Sequence, residues 1–381
     1  MLKIHYSLDS GLNESITSID APNVLNIQKR NLVLQTKKGQ TVRRGEILAK
    51  HPSPFGGAYH AAASGKITAI NEHNLTISHD GGDETVETVD VQSMGVGKDL
   101  LRTLQDLGID VAPYSGKAAT LIINGLNPEP GISVAQQLLM DESEIIQAGL
   151  DMARKLLTPD RTVLAVGKGE NFKLSGAETV GIKPKYPHSL DALVTRDITG
   201  REFPADTKIV SVMDLHDLGR VVLTGLPVMD TVLTIDGRNY RVPLGTPIHH
   251  LLDTVGIQPS SGDIVVLGGP FRGEAVYSLD EGVTKNDYGL FIIPSSRFPK
   301  VQDAPCINCG ECVLNCPARV QPHLISRCTE YDKFEMAEKH GLHSCFECGL
   351  CAFHCFARRP LLQYIRFAKA QLKASRQTEQ A

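Results

Sequence analysis

The sequence predicts a multidomain α+β chain: short strands, then alternating strands and helices, then a small helical module that carries all the cysteine. Three observations predict it. All nine cysteines fall between Cys306 and Cys355. Apolar residues alternate with polar ones up to about Val91, whereas from Lys98 they recur every three to four residues. At 381 residues the chain also exceeds one ordinary hydrophobic core, which sets an expectation of two to four domains.

Composition narrows the function classes. Hydrophobic content of 41% and charged content of 22% are ordinary globular values. A formal net charge of -4 speaks against a nucleic-acid partner. No apolar run reaches the roughly 18 residues that a membrane span needs, so membrane association is expected only through partners or the surface.

From about Asn31 to Val91, LQTKKGQTVRRGEILAK (Leu34 to Lys50) and AAASGKITAI (Ala61 to Ile70) set alternating apolar residues around turn glycines. The pattern resembles the barrel-sandwich of biotinyl and lipoyl carriers. Lys66 lacks the hairpin context of their modifiable lysine, so a scaffold without a covalent cofactor is expected. Leu100, Leu104 and Leu107 mark a helix that Gly108 ends. TLIIN (Thr120 to Asn124) and TVLAV (Thr162 to Val166) read as buried strands. Between them lies a helical region, with a capping-box-like start at Asp141 and Glu144 and an apolar face of Ile146, Leu150, Ala153 and Leu157. Strand, helix, strand with glycine-rich turns predicts an open, Rossmann-like α/β domain. GKGE at Gly167 to Glu170 lacks a full nucleotide fingerprint and reads as a strand-to-loop turn. Residues 173–206 read as irregular connection.

VLTIDGRNYRVPL (Val232 to Leu244) is a hairpin around Asp236-Gly237. Thr246-Pro247 then opens a helix that Gly256 closes, and strand, strand, helix resembles a β-grasp unit of the soluble-ligand-binding kind. A strand at Asp263 to Leu267 runs into GGPFRG (Gly268 to Gly273), whose glycines permit either a tight turn or a close backbone approach to a cofactor. Thr329 to His340 reads as one helix stopped by Gly341. PLLQYIRFAKAQLK (Pro360 to Lys373) reads as an amphipathic helix, with Leu361, Leu362, Ile365 and Leu372 opposed by Arg366, Lys369 and Lys373. That helix is expected to pack on its own module, with a neighbouring protein or anionic lipid as the alternative target of its basic face.

The cysteine module carries the chemistry. CINCGECVLNCP and CFECGLCAFHCF each follow C-x2-C-x2-C-x3-C, the spacing of proteins with two [4Fe–4S] clusters in which each fourth cysteine ligates the other cluster. Cys306, Cys309, Cys312 and Cys355 are assigned to one cluster, and Cys345, Cys348, Cys351 and Cys316 to the other. Zinc ordinarily takes four ligands from two knuckles, which leaves half of these thiols unexplained. Thiolates kept reduced suit a cytosolic setting rather than a disulfide framework. Phe356 stands where Pro usually follows the fourth cysteine, and Cys328 is left over as a buried thiol.

The order of these units, with LIING (Leu121 to Gly125), EPG (Glu129 to Gly131), VLGGPFRG (Val266 to Gly273) and the cysteine runs with their trailing helix, resembles the C subunit of Rnf-type ion-translocating ferredoxin:NAD oxidoreductases. The resemblance covers nearly the whole chain. It implies a barrel-sandwich scaffold at 1–96, an α/β domain at 97–225, a β-grasp unit with its following strand and loop at 226–300, and a two-cluster ferredoxin-like module at 301–381. It also implies a peripheral subunit on the cytoplasmic side of a membrane complex, relaying electrons between a ferredoxin or cytochrome and integral membrane subunits. Typical members bind FMN and NADH through a GxGGAGFPT loop, like the NADH-binding subunit of respiratory complex I. Here LGIDVAPYSGK (Leu107 to Lys117) has no such glycine run, leaving Glu129, Gly268 and Gly269 as remnants of a flavin region. In this the chain is similar to the A subunit of the sodium-pumping NADH:quinone reductase. The expectation is two clusters without an NADH site. A soluble cobalamin-type reductase and a mainly structural adaptor are the alternatives.

Overall fold

A computed structural model of the chain describes residues 6–8, 14–29, 32–296, 301–302 and 304–379; Asn31, the expected start of the strand-rich region, lies outside them. The fold is mixed α/β with several sheets. In the first part, an antiparallel sheet of Val24–Gln28, Asn74–His79, Gly65–Ile70 and Thr41–Val42 accompanies a smaller one of Val33–Leu34, Ile47–Lys50 and Tyr59–His60. Leu25, Val42, Leu48, Ile67, Leu75 and Ile77, at alternate strand positions, are buried in one core. The strand Val24–Gln28 opens this region earlier than the alternation from residue 31 suggested. Lys66, the second residue of the strand Gly65–Ile70, lies opposite Thr41.

The middle of the chain builds a four-stranded parallel sheet in the order Glu178–Ile182, Arg161–Gly167, Thr120–Asn124, Thr207–Ser211. Its two central strands are the apolar runs expected of strands covered on both faces. Helices Ser143–Leu157 and Val212–Thr224 cross so closely that a Cβ on Gly149 would lie 2.0 Å from the Leu215 carbonyl oxygen. Ile146, Leu150, Ala153 and Leu157 are fully buried, as their spacing predicts.

Three local expectations are corrected here. Asp141 ends a separate helix, Val134–Asp141, and its carboxylate accepts from Gln137 and from the Ile16 backbone N–H, so it does not cap the next helix. Residues 173–206 are not merely connective. They hold the edge strand Glu178–Ile182 and the helix Asp191–Thr199, whose mixed polarity hid their periodicity. The expected helix from Thr329 to His340 is broken. Asp332 adopts φ 54°, which separates Pro322–Glu330 from Phe334–Lys339.

The predicted hairpin forms as Asp230–Ile235 and Arg238–Pro243, with Asp236 and Gly237 both at positive φ. Helix Ile248–Val255 sits between Pro247 and Gly256 as read from sequence. These strands belong to a six-stranded mixed sheet that also takes in Thr17–Ser18, which pairs in parallel with Tyr240 and Arg241. Helix Leu361–Glu379 buries Leu361, Ile365 and Leu372 in the core of the cysteine module, and Leu362 is buried beside the second thiol set. Among the described residues, no helix is long and apolar enough to cross a membrane.

Candidate metal centres and the adjoining cavity

The two cysteine runs fold alike because the same backbone exceptions recur. Asn308 and Gly310 in the first, and Glu347 and Gly349 in the second, adopt positive φ, turning the chain back around each thiol set. Backbone N–H groups of Asn308 and Glu347 donate to Cys306 Sγ and Cys345 Sγ at 3.5 and 3.4 Å. The short helices Glu311–Leu314 and Leu350–Phe353 follow. One cavity is lined by Cys306, Cys309, Cys312 and Cys355, a second by Cys345, Cys348, Cys351 and Cys316. Each fourth cysteine, Cys316 and Cys355, thus lines the cavity of the other run.

A structural zinc ordinarily draws its four sulfurs from two knuckles, whereas each set here takes three thiols from one run and the fourth from the other. The donor set and its spacing fit a larger, multinuclear group. Burial raises the Cys312, Cys345 and Cys351 thiols and pushes Cys348 up to about 11, with neighbouring cysteines adding to the shift. Loading a metal group must therefore expel protons from these thiols. Cys328 lies half-buried against the module core, in neither cavity.

Beside the second thiol set, the GGPFRG loop closes on the module. A Cβ on Gly349 would lie 2.2 Å from the Phe271 carbonyl oxygen. The Phe271 ring stacks on Tyr186 at 4.9 Å and on Tyr6 at 5.8 Å, and Tyr186 Oη donates to the Cys348 carbonyl at 2.6 Å. No local pattern marks Tyr6 or Tyr186, which reach this place through long-range contacts. Arg366 and Lys369 of the trailing helix pair with Glu347 at 3.2 and 2.7 Å. The expected packing of that helix on its own module holds, and three of its four basic residues, Arg366, Lys369 and Arg376, are used in it.

Glu129, Gly268 and Gly269, separated by some 140 residues, meet at a cavity of about 620 Å³ that also borders Glu347. Glu129 lies just beyond the carboxyl end of the Thr120–Asn124 strand, next to the point where strand order reverses, a common ligand crevice in parallel sheets. Its carboxylate is buried and engaged: it accepts from the backbone N–H groups of Phe271 and Arg272 at 2.8 and 3.1 Å and from Arg272 Nε at 3.1 Å. The segment from Leu107 to Lys117 offers no phosphate cradle. Its N–H groups at Ile109, Val111 and Tyr114 are spent on Leu104, Phe55 and Val111 carbonyls, and the Gly108 carbonyl accepts from the buried Lys285. These residues do not fit a flavin phosphate. At Gly167, the GKGE turn closes on itself through the Glu170 carboxylate.

Fold and site together define a mixed α/β protein with paired four-thiol centres beside a large cavity. Over about nine-tenths of its length the chain is similar to the C subunits of ion-translocating oxidoreductase complexes. It is 26% identical to the C subunit of the proton-translocating ferredoxin:NAD(+) oxidoreductase complex of Clostridium ljungdahlii, over 91% of this chain and 86% of that protein. It is also 26% identical to the Na(+)-translocating counterpart of Acetobacterium woodii, over 89% and 88%. The C subunit of the Pseudomonas aeruginosa ion-translocating oxidoreductase complex is 27% identical over 89% of this chain, which spans only 50% of that longer relative. No family model matches the chain. An NAD+-reducing [NiFe]-hydrogenase chain superposes with a TM-score of 0.47 at 11% identity, over 76% of this chain and 70% of that one, which is too weak to carry an argument.

Proposed function

We propose that the chain is a peripheral electron-transfer subunit of an ion-translocating oxidoreductase of the Rnf type. Cys306, Cys309, Cys312 and Cys355 hold one [4Fe–4S] cluster, and Cys345, Cys348, Cys351 and Cys316 hold the other. The observation that carries this reading is the crossed convergence of eight thiols on two cavities, in a chain similar along its length to the C subunits of such complexes. When bound, such clusters take up and release single electrons. The protein supplies the thiolates, a low-dielectric wall around the second set and backbone N–H donors to sulfur. The body reads as the barrel-sandwich, Rossmann-like α/β and β-grasp units named above, with the ferredoxin-like module docked through Phe271 and Tyr186.

An open cleft of about 480 Å³ runs past Cys316 and Pro317, bordered by Lys183, Lys185 and Arg196. Lys183 and Lys185 are exposed and Leu314 beside them is 80% exposed, in a chain whose net charge is negative. This basic, partly apolar rim suits an acidic redox carrier such as a ferredoxin. The chain then stands on the cytoplasmic side of the membrane, held by integral subunits. With Glu129 engaged and no phosphate cradle at Leu107 to Lys117, NADH is not assigned to this chain.

Anaerobic reduction of the purified protein tests the reading. Cluster absorbance and EPR are followed after adding NADH or a reduced low-potential ferredoxin, with iron, sulfide and flavin assayed in parallel. Two clusters reduced by ferredoxin, with NADH inert, is the expected result. Rapid reduction by NADH through a bound flavin, or fewer than two clusters per chain, would defeat it.

A further inference from the structure

The cysteine runs repeat at a spacing of 39 residues, from Cys306 to Cys345, and the backbone repeats with them: Asn308, Gly310 and Arg319 at positive φ recur as Glu347, Gly349 and Arg358. The repeat gives each position around one thiol set a counterpart around the other. Helix Pro322–Glu330 presents Pro322 to the second cavity and His323 to the first, whereas helix Leu361–Glu379 presents Leu361 to the first and Leu362 to the second. His323 and Leu362 are thus counterparts at opposite centres.

The differences between counterparts run in one direction. At the first centre Cys309 is exposed, while its counterpart Cys348 is 7% exposed. Arg359 lines the first cavity where the repeat has Val320, and Asn308 stands where the second has Glu347. The last two differences are largely offset, since Arg359 pairs with Glu330, and Glu347 with Arg366 and Lys369. His323 against Leu362 is not offset. The His323 ring Nδ1 is buried with no hydrogen-bond partner in the protein, on a side chain that lines the first cavity. Buried polar atoms are ordinarily hydrogen-bonded, so this one calls for a partner inside the cavity.

We propose that His323 is a tuning residue that makes the first centre the higher-potential one: its Nδ1–H donates to a sulfur of the group held by Cys306, Cys309, Cys312 and Cys355. The inference rests on the reading that both centres hold clusters. Each centre gains one electron from an external reductant, and no bond or proton moves. The added negative charge is stabilised by a hydrogen-bond donor and by nearby solvent, both present at the first centre, while Leu362 and a buried Cys348 face the second. The first electron entering the oxidised protein therefore rests at the exposed centre, and the second centre fills later.

An anaerobic potentiometric titration with dithionite and mediators at fixed pH, read by EPR, tests this on the full-length protein. Wild type is compared with His323→Leu, His323→Gln and Leu362→His, after iron and sulfide analysis. Fewer than two clusters in wild type defeats the cluster reading itself. With two clusters present, His323→Leu is expected to move the higher midpoint negative and leave the lower in place. His323→Gln, which keeps a donor, is expected to restore most of the shift, and Leu362→His to move the lower midpoint positive. An unmoved higher midpoint in a fully loaded His323→Leu protein, or a shift confined to the lower one, overturns the assignment. If His323→Leu loses its first cluster, Leu362→His decides, and an unmoved lower midpoint is then the negative result.

Discussion

Glu129 is a buried carboxylate on which the GGPFRG loop closes. It sits at the large cavity, but its carboxylate ties down the GGPFRG loop through two backbone N–H groups and Arg272. Glu129→Ala strands both amides in a buried place, which is expected to cost about 2 to 4 kcal/mol in urea unfolding and to speed loss of cluster absorbance in air. Equal stability of wild type and variant would show that the loop is held by other means. A second buried group sets a pH dependence. His216 lies 2.6 Å from Glu142. Burial alone would lower the His216 pKa from 6.5, but hydrogen bonds to Asp217 and Glu142 outweigh it and raise it. Burial likewise opposes ionisation of Glu142, yet hydrogen bonds from His216 and Arg241 hold it at about 2, against 4.5 ordinarily. The raised histidine stabilises fully below 6.5 and loses that contribution as pH rises through its folded value. The depressed carboxylate contributes fully above 4.5 and loses its contribution as pH falls toward 2. The stability advantage of wild type over His216→Gln is therefore expected to shrink above about pH 6.5 in urea titrations across a pH series. A constant difference across that range would mean the imidazole is not charged in the folded protein.

At the scale of elements, the helix pair behind the parallel sheet depends on having no side chain at its crossing. A Cβ on Gly219 would lie 1.9 Å from the Ile145 carbonyl oxygen, and one on Gly149 would meet Leu215 as closely. Alanine is the better helix former by about 1 kcal/mol, so an isolated helix would gain from Gly219→Ala. Here the two helices must separate, and a net loss of about 1–3 kcal/mol in urea unfolding is expected. A stabilised variant would show that the crossing relaxes freely. The same helix begins with a capping box in which Ser211 and Asp214 exchange hydrogen bonds, which fixes where the strand Thr207–Ser211 turns into the helix.

For the whole molecule, what matters is where the redox module sits. It docks through Phe271, Tyr186 and the hydrogen bond from Arg366 to the Arg272 carbonyl onto the loop that borders the large cavity, leaving the first centre and the basic cleft facing outward. Replacing Lys183 and Lys185 together by Glu is expected to raise the apparent KM for an acidic ferredoxin by about tenfold at low ionic strength, with the difference closing in high salt. Reduction by dithionite should be unaffected. A KM unchanged at low salt would locate the docking surface elsewhere on the chain.

By itself, the sequence determined the features set by short-range rules. The cysteine spacing defined the two thiol sets, Asp236-Gly237 the hairpin, Gly256 the helix stop, and the apolar runs at Thr120 and Thr162 the central strands, because sterics and periodicity act over a few residues. Asp141 departs from its local reading because Ile16 and Gln137 claim its carboxylate, and the helix breaks at Asp332 through a local turn at positive φ that apolar periodicity does not mark. Only the tertiary structure decided that Tyr186 meets Cys348 across 162 residues, that Glu129 serves the GGPFRG loop, and that His323 and Leu362 face opposite centres. Those relations depend on how separate elements pack, and packing is a property of surfaces brought together from distant parts of the chain.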